Sequence, residues 1–392
     1  MSAAGADQSL APPDAQEREK KTGYLELFFD LVFVFAITQV TTLVISDTSP
    51  AGFGRAALIL GLVWWAWGGF AWMTNAIDVE DALVRRTMLL AMLGVFFVAL
   101  ALPDAFTDAA PWFAAPYFAV RVLHMAVYFY GVRENAAYRQ GVLFLAPAFL
   151  GSPLIVLAAS FLDDPWRTGL WAFALAVEMI AAALSGNRGF TISPAHFVER
   201  HALFIIIALG ESIVAIGLAA AAVERDAALA LSVVIAFGGA AAMWYAYFDF
   251  LAIAFERAIE RRPEAERAPV ARDVFSYLHL VMVAGIILYA VAAKKMIAHP
   301  GDELSVAGRF ALGAGIGLYL VAFVLARYRL IRRVARERIA GAAGAAAAAV
   351  LLGGLPAAAL VAIVVGVLLL AILVEAWRLR DARSQIRASA AA

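Results

Sequence analysis

Stretches of about twenty residues almost free of charge recur from Tyr24 to the C-terminal part of this chain, each long enough to cross the ~30 Å hydrocarbon core of a bilayer as a helix. They do not alternate polar and apolar residues as barrel strands would, and in lipid a backbone must satisfy its own hydrogen bonds. Charged residues make up only 16% of the 392 residues against 64% hydrophobic ones, too apolar a balance for a soluble domain. The expected fold is all-α, a polytopic transmembrane helix bundle of about twelve spans.

The spans are expected at 24–45, 54–74, 86–102, 112–130, 141–161, 167–185, 200–222, 227–251, 275–293, 304–326, 338–354 and 356–377. Span 11 is the weakest, a short Ala-rich stretch from Ile339 to Gly354. Omitting it would separate the C-terminal arginines from the other basic loops, so it is retained. With twelve spans, 24 Lys and Arg fall on one side and six on the other, which under the positive-inside rule makes both termini cytoplasmic. Residues 1–22, which lack the apolar core of a signal peptide, read as a disordered cytoplasmic tail, 23–378 as the transmembrane domain and 379–392 as a second tail. The charged stretch from Glu256 to Asp273 reads as a solvated connector.

Two halves, 23–190 and 195–378, look alike. Spans 1 and 7 begin with Glu26 and Glu199, and spans 2 and 8 carry Trp64-Trp65-Ala66-Trp67 and Trp244-Tyr245-Ala246-Tyr247. Six helices per half in the same orientation would form a parallel repeat, an arrangement found in transporters; coincidence in an aromatic-rich membrane sequence is the competing reading.

Ionisable residues inside apolar spans are costly, and so mark candidate sites. Glu26 and Asp30 share one face of the first helix at i, i+4 spacing. Beyond them stand Arg121, His124, Glu178, Glu211, Asp249, His279 and Glu375. Acids outnumber bases, Arg121 being the natural partner of Glu178 or Glu211, and the surplus points to an ion or proton path. The bland readings are structural ion pairing for Arg121, an aqueous helix end for Glu26 and Glu199, and interfacial positions for Asp249 and His279. Whether Asp30 and Glu211 meet is the question on which the transport reading depends.

The chain has no cysteine, and its five histidines show no zinc-site spacing, so no metal or cofactor is expected. Zero net charge gives no nucleic-acid footprint, and no Walker, dinucleotide or nucleophile-elbow motif is present. In Leu209-Gly210-Glu211-Ser212 a hydroxyl stands beside a buried acid, without the base and oxyanion site that a nucleophile needs, and no catalytic residue is assigned.

E-L-F-F-D-L-V-F-V-F-A-I-T-Q at 26–39 and H-F-V-E-R-H-A-L-F-I-I-I-A-L-G-E-S-I at 196–213 resemble the bacterial low temperature requirement protein A family. The resemblance implies an integral membrane protein linked to growth in the cold and carries the family positions onto Glu26, Phe29, Asp30, Glu199, Arg200, Gly210, Glu211 and Ser212. Phe28-Phe29-Asp30 is also similar to the F-S-D motif of lysosomal potassium channels, but span 7 holds no second F-x-D. The favoured expectation is a cation- or proton-coupled transporter or channel for a small ion or solute, with Glu26, Asp30, Arg121, Glu178, Glu199, Glu211, Ser212, Asp249 and His279 as path candidates. A membrane-embedded enzyme acting on lipid, less favoured, and a structural or partner-binding protein remain as alternatives. The expected partners are the lipid bilayer and a small ion or solute, with a homo-oligomer left open.

Overall fold

The computed structural model describes residues 22–186, 189–249 and 251–380; of the expected tails, only residues 22, 379 and 380 fall within it. In chain order the helices are α1 (Tyr24–Ser46), α2 (Pro50–Ala76), α3 (Ala82–Ala101), α4 (Ala110–Gly131), α5 (Ala136–Ala159), α6 (Trp166–Leu184), α7 (Pro194–Ala221) and α8 (Ala227–Phe248). The short α9 (Leu251–Glu260) and α10 (Glu264–Ala271) follow, then α11 (His279–Ala298), α12 (Val306–Ile331), α13 (Arg336–Leu351) and α14 (Ala357–Arg378). A π-helical segment, Arg272–Leu278, joins α10 to α11 without a break. No strand is formed among the described residues.

Local chemistry sets the starts. Ser49, Asp81, Asn135, Asp226 and Ser305 each accept a backbone N–H two or three residues on, satisfying donors that a helix leaves unpaired at its first turn. Among the described residues, ten candidate spans are long and apolar enough to cross a bilayer. The two other long helices are α4, which carries Arg121, His124 and the interior Pro116, and α13, whose 16 residues reach only ~24 Å. Each of the twelve expected spans thus has a helix, with altered edges. The main shift is α7, which begins at Pro194 behind an N-cap Ser193 rather than at residue 200.

The expected connector between Glu256 and Asp273 is helical, exposed at residues 260, 261 and 263–266 and anchored on either side of them. Phe255 and Ile259 are buried, and the guanidinium groups of Arg262, Arg267 and Arg272 donate to carbonyls of Leu330, Glu260 and Ala182. These arginines therefore cap helix ends and fasten this side of the bundle.

The order of neighbours is the same in the two halves. In the first, α1 packs on α2 and α3, α3 on α4, α4 on α5, α5 on α6, and α6 on α2; substituting α7, α8, α11, α12, α13 and α14 gives the second set. α1 and α7 join the halves and run parallel, Asp30 lying opposite Arg200 and Thr41 opposite Glu211.

α11 and α12 cross at two glycines. A Cβ at Gly285 would stand 2.6 Å from the Gly315 carbonyl oxygen and 2.9 Å from the Tyr319 nitrogen, both backbone atoms that cannot turn aside. Gly285→Ala is expected to push the helices apart and to cost about 1–3 kcal/mol. Thermal unfolding of the detergent-solubilised protein checks this, and an unchanged midpoint would mean that the crossing tolerates the methyl group.

Candidate functional site

Glu26 and Asp30 do not lie at an aqueous helix end. Both side chains are fully buried at the junction of α1, α2 and α7. The i, i+4 pair on α1 meets another on α7, His196 and Arg200. Arg200 Nη1 donates to Glu26 Oε1 at 2.7 Å and Nη2 to Asp30 Oδ1 at 2.6 Å, so one guanidinium forks between two carboxylates. Nη1 also reaches Thr74 Oγ1 at 3.1 Å, and Trp67 Nε1 donates to Asp30 Oδ1 at 2.7 Å. Glu26 Oε2 accepts from the Gly23 N–H at 2.9 Å, holding the start of α1 in the cluster.

The neighbours of His196 define its tautomer. Asn75 Oδ1 accepts from the Ser193 N–H, and Asn75 Nδ2 donates to the Ser193 carbonyl, which fixes the direction of the amide. Nδ2 then faces His196 Nδ1 at 3.0 Å, so that nitrogen accepts, and the proton sits on Nε2, which lies 3.0 Å from Glu26 Oε1 and 3.1 Å from Oε2. The imidazole is thereby neutral. Both oxygens of Glu26 receive donors, whereas Asp30 Oδ2 has no hydrogen-bond partner.

On the opposite face of α2, Arg121 Nη2 pairs with Glu178 Oε2 at 2.9 Å, buried on both sides. Arg121 also donates to the Trp65 carbonyl at 3.3 Å, and its guanidinium lies 4.8 Å from the Phe149 ring centre. Near the other end of the chain, Glu375 is shared by Arg327 and Arg338. Glu211 is buried against Thr41, within electrostatic reach of Lys294, and its Oε2 has no hydrogen-bond partner. It does not meet Asp30. Eleven residues separate Asp30 from Thr41 along α1, and eleven separate Arg200 from Glu211 along α7, so the two acids stand about 16 Å apart in depth.

Other candidates lie elsewhere. Glu199 is exposed and accepts from the Thr22 N–H and hydroxyl. The Ser212 hydroxyl donates to Ala208 O within its own helix, so it faces no base. Asp249 caps the end of α8, half-buried. His279 is fully buried, held by Val274 O at 2.9 Å on Nδ1 and Tyr247 OH at 2.8 Å on Nε2, which marks a structural link from α8 to the π-helical segment. Among the described residues no group of three or more His, Asp or Glu is arranged to hold a metal ion.

A cavity lies between α2, α4, α5, α6 and the π-helical segment, offering about 70 Å³ to water-sized molecules. Trp64, Trp65, Trp72, Phe149 and Phe190 form much of its wall, and Trp64 and Trp72 are themselves held by Ser276 O and Ser276 Oγ. α2 thus turns Trp67 and Thr74 to the charge cluster and Trp65, Gly68 and Trp72 to the cavity.

The comparisons agree with the motifs. The family model described as bacterial low temperature requirement A protein (LtrA) matches residues 21–373. The chain is 30% identical over 293 residues to the uncharacterized protein RA0937 of Rhizobium meliloti (strain 1021), covering 72% of this chain and 71% of that protein. With apolar helices throughout and a match over most of its length, the chain is an integral membrane protein that belongs to the bacterial low temperature requirement A family.

Proposed function

We propose that this chain is a proton-coupled membrane transporter of a small solute, with Asp30 as the group that carries the proton. The charge balance of the α1–α2–α7 cluster supports this reading. Among the described residues, two carboxylates and one guanidinium leave one negative charge, which His196, accepting on Nδ1 and donating on Nε2, does not offset. An uncompensated charge in a low-dielectric interior costs several kcal/mol. A single proton removes that cost, and Asp30 Oδ2 is the position where it can sit without displacing a hydrogen bond. Releasing it would charge the cluster and tighten the grip of Arg200 on α1, so proton binding and helix position are linked at one residue.

Because Glu211 stands about 16 Å from Asp30, the reading rests on the α1–α2–α7 cluster rather than on a joined pair of acids, and Glu211 is a separate buried acid on the α1–α7 seam. The basic loops beside Glu26 would make that end cytoplasmic. The test uses proteoliposomes loaded with a pH-sensitive dye and a panel of small solutes. The wild type should show solute-evoked proton movement, and Asp30→Asn, which mimics the protonated acid, should lose it while keeping the fold. Equal proton movement in the variant, or none for any solute in the wild type, would overturn the proposal.

A further inference from the structure

We propose that the cavity beside α2 is a binding site for a small uncharged molecule bearing a hydroxyl group, with His124 and Tyr128 holding that hydroxyl. Both side chains line the cavity one helical turn apart on α4, with ring centres 5.8 Å apart. They are 1% and 4% exposed, yet the Tyr128 hydroxyl has no hydrogen-bond partner and the His124 ring meets only the Gly69 backbone, at a geometry short of a good hydrogen bond. Buried polar atoms are rarely left so, because each loses its water without a replacement. A hydroxyl both donates and accepts, so one placed between the rings answers the two groups together.

The lining excludes charge. Arg272 is the sole charged side chain among the described lining residues, and its nitrogens are committed to Asp273 Oδ1 and the carbonyls of Ala182 and Ala183. Among the described lining residues an anion would find no free donor fork, and a cation no acid. The indole and phenyl walls favour an apolar remainder. Size is limited too, since the inner space is smaller than the roughly 150 Å³ that accepts benzene, so the hydroxyl end enters it and a remainder of trichloromethyl size stays at the partly open side of the cavity, beside the indole walls. A Cβ at Gly68 would meet nothing within 4 Å, so the cavity extends up to the α2 backbone at that residue.

Trichloroethanol, an uncharged alcohol that quenches indole fluorescence, is a direct probe beside Trp64, Trp65 and Trp72, and chloroform is its counterpart without the hydroxyl. With purified protein in detergent at fixed pH, trichloroethanol should quench saturably, and Gly68→Leu, which fills the space, should abolish the saturable part. His124→Phe and Tyr128→Phe should each weaken the alcohol by about fivefold, the worth of one hydrogen bond, and leave chloroform unchanged. Linear quenching in the wild type, or an equal loss for both quenchers in the ring variants, would overturn the site. Should Gly68→Leu fail to fold, the alcohol-to-chloroform ratio in Tyr128→Phe decides. No proton gradient is present, so failure here is distinct from failure of proton coupling.

Discussion

Replacing Arg200 with methionine is expected to cost about 3–5 kcal/mol and to leave little folded protein in the membrane fraction. Among the described residues the guanidinium is the one arginine or lysine cation in contact with Glu26 and Asp30, and its removal leaves the two acids facing each other in a buried site. Arg200→Lys should rescue only part of the loss, because a single ammonium cannot span the two acids as the planar fork does. Adding Glu26→Gln and Asp30→Asn to Arg200→Met should restore most of the stability, since the excess charge goes with the cation. Size-exclusion profiles and melting curves of the solubilised variants read the outcome. Wild-type behaviour of Arg200→Met alone would show that the acids are neutralised by some other means.

The Arg121–Glu178 pair should respond differently. Arg121→Met or Glu178→Leu alone leaves a buried charge without its partner and should cost about 3–5 kcal/mol, whereas the double variant should come within about 1 kcal/mol of the wild type or exceed it. The pair is one to one, and its remaining contacts, the Trp65 carbonyl and the face of Phe149, are individually weak. A double-mutant cycle on the melting free energies measures the coupling. Additive losses would mean that each residue is held by its own surroundings rather than by the other.

The helices were legible because each is a long run without charge, a pattern set by the thickness of the membrane. The cluster was legible only by half. Glu26 and Asp30 stand out at i, i+4 spacing in the first apolar run, but starting span 7 at residue 200 counts Arg200 among the loop cations and leaves His196 outside the membrane. The signal was there in Ser193-Pro194, a helix start, followed by His196 and Arg200 at the same spacing as the two acids. Arg338 is hidden in the same way, at the edge of a helix whose burial depends on α12 and α14. The cavity's signal in the sequence was the Trp cluster of α2, which reads as a pore lining or as interface anchoring and packing. The cavity itself arises where α2, α4, α5 and α6 fail to close over Gly68, which is a matter of packing between helices far apart in the chain.

The partners of α1 lie 170 and 174 residues further along the chain, and this separation has a consequence for synthesis. At about 5–20 residues per second, a ribosome needs on the order of 10–30 s to make that much polypeptide. Through that interval the first helix reaches the bilayer with two acids whose cation does not yet exist. It must wait at the translocon or the lipid surface, or enter with its carboxyls protonated, until the seventh helix arrives to hold it. α1 is therefore not seated before α7 arrives, and the guanidinium that stabilises the finished bundle also ties the first half of the chain to the start of the second.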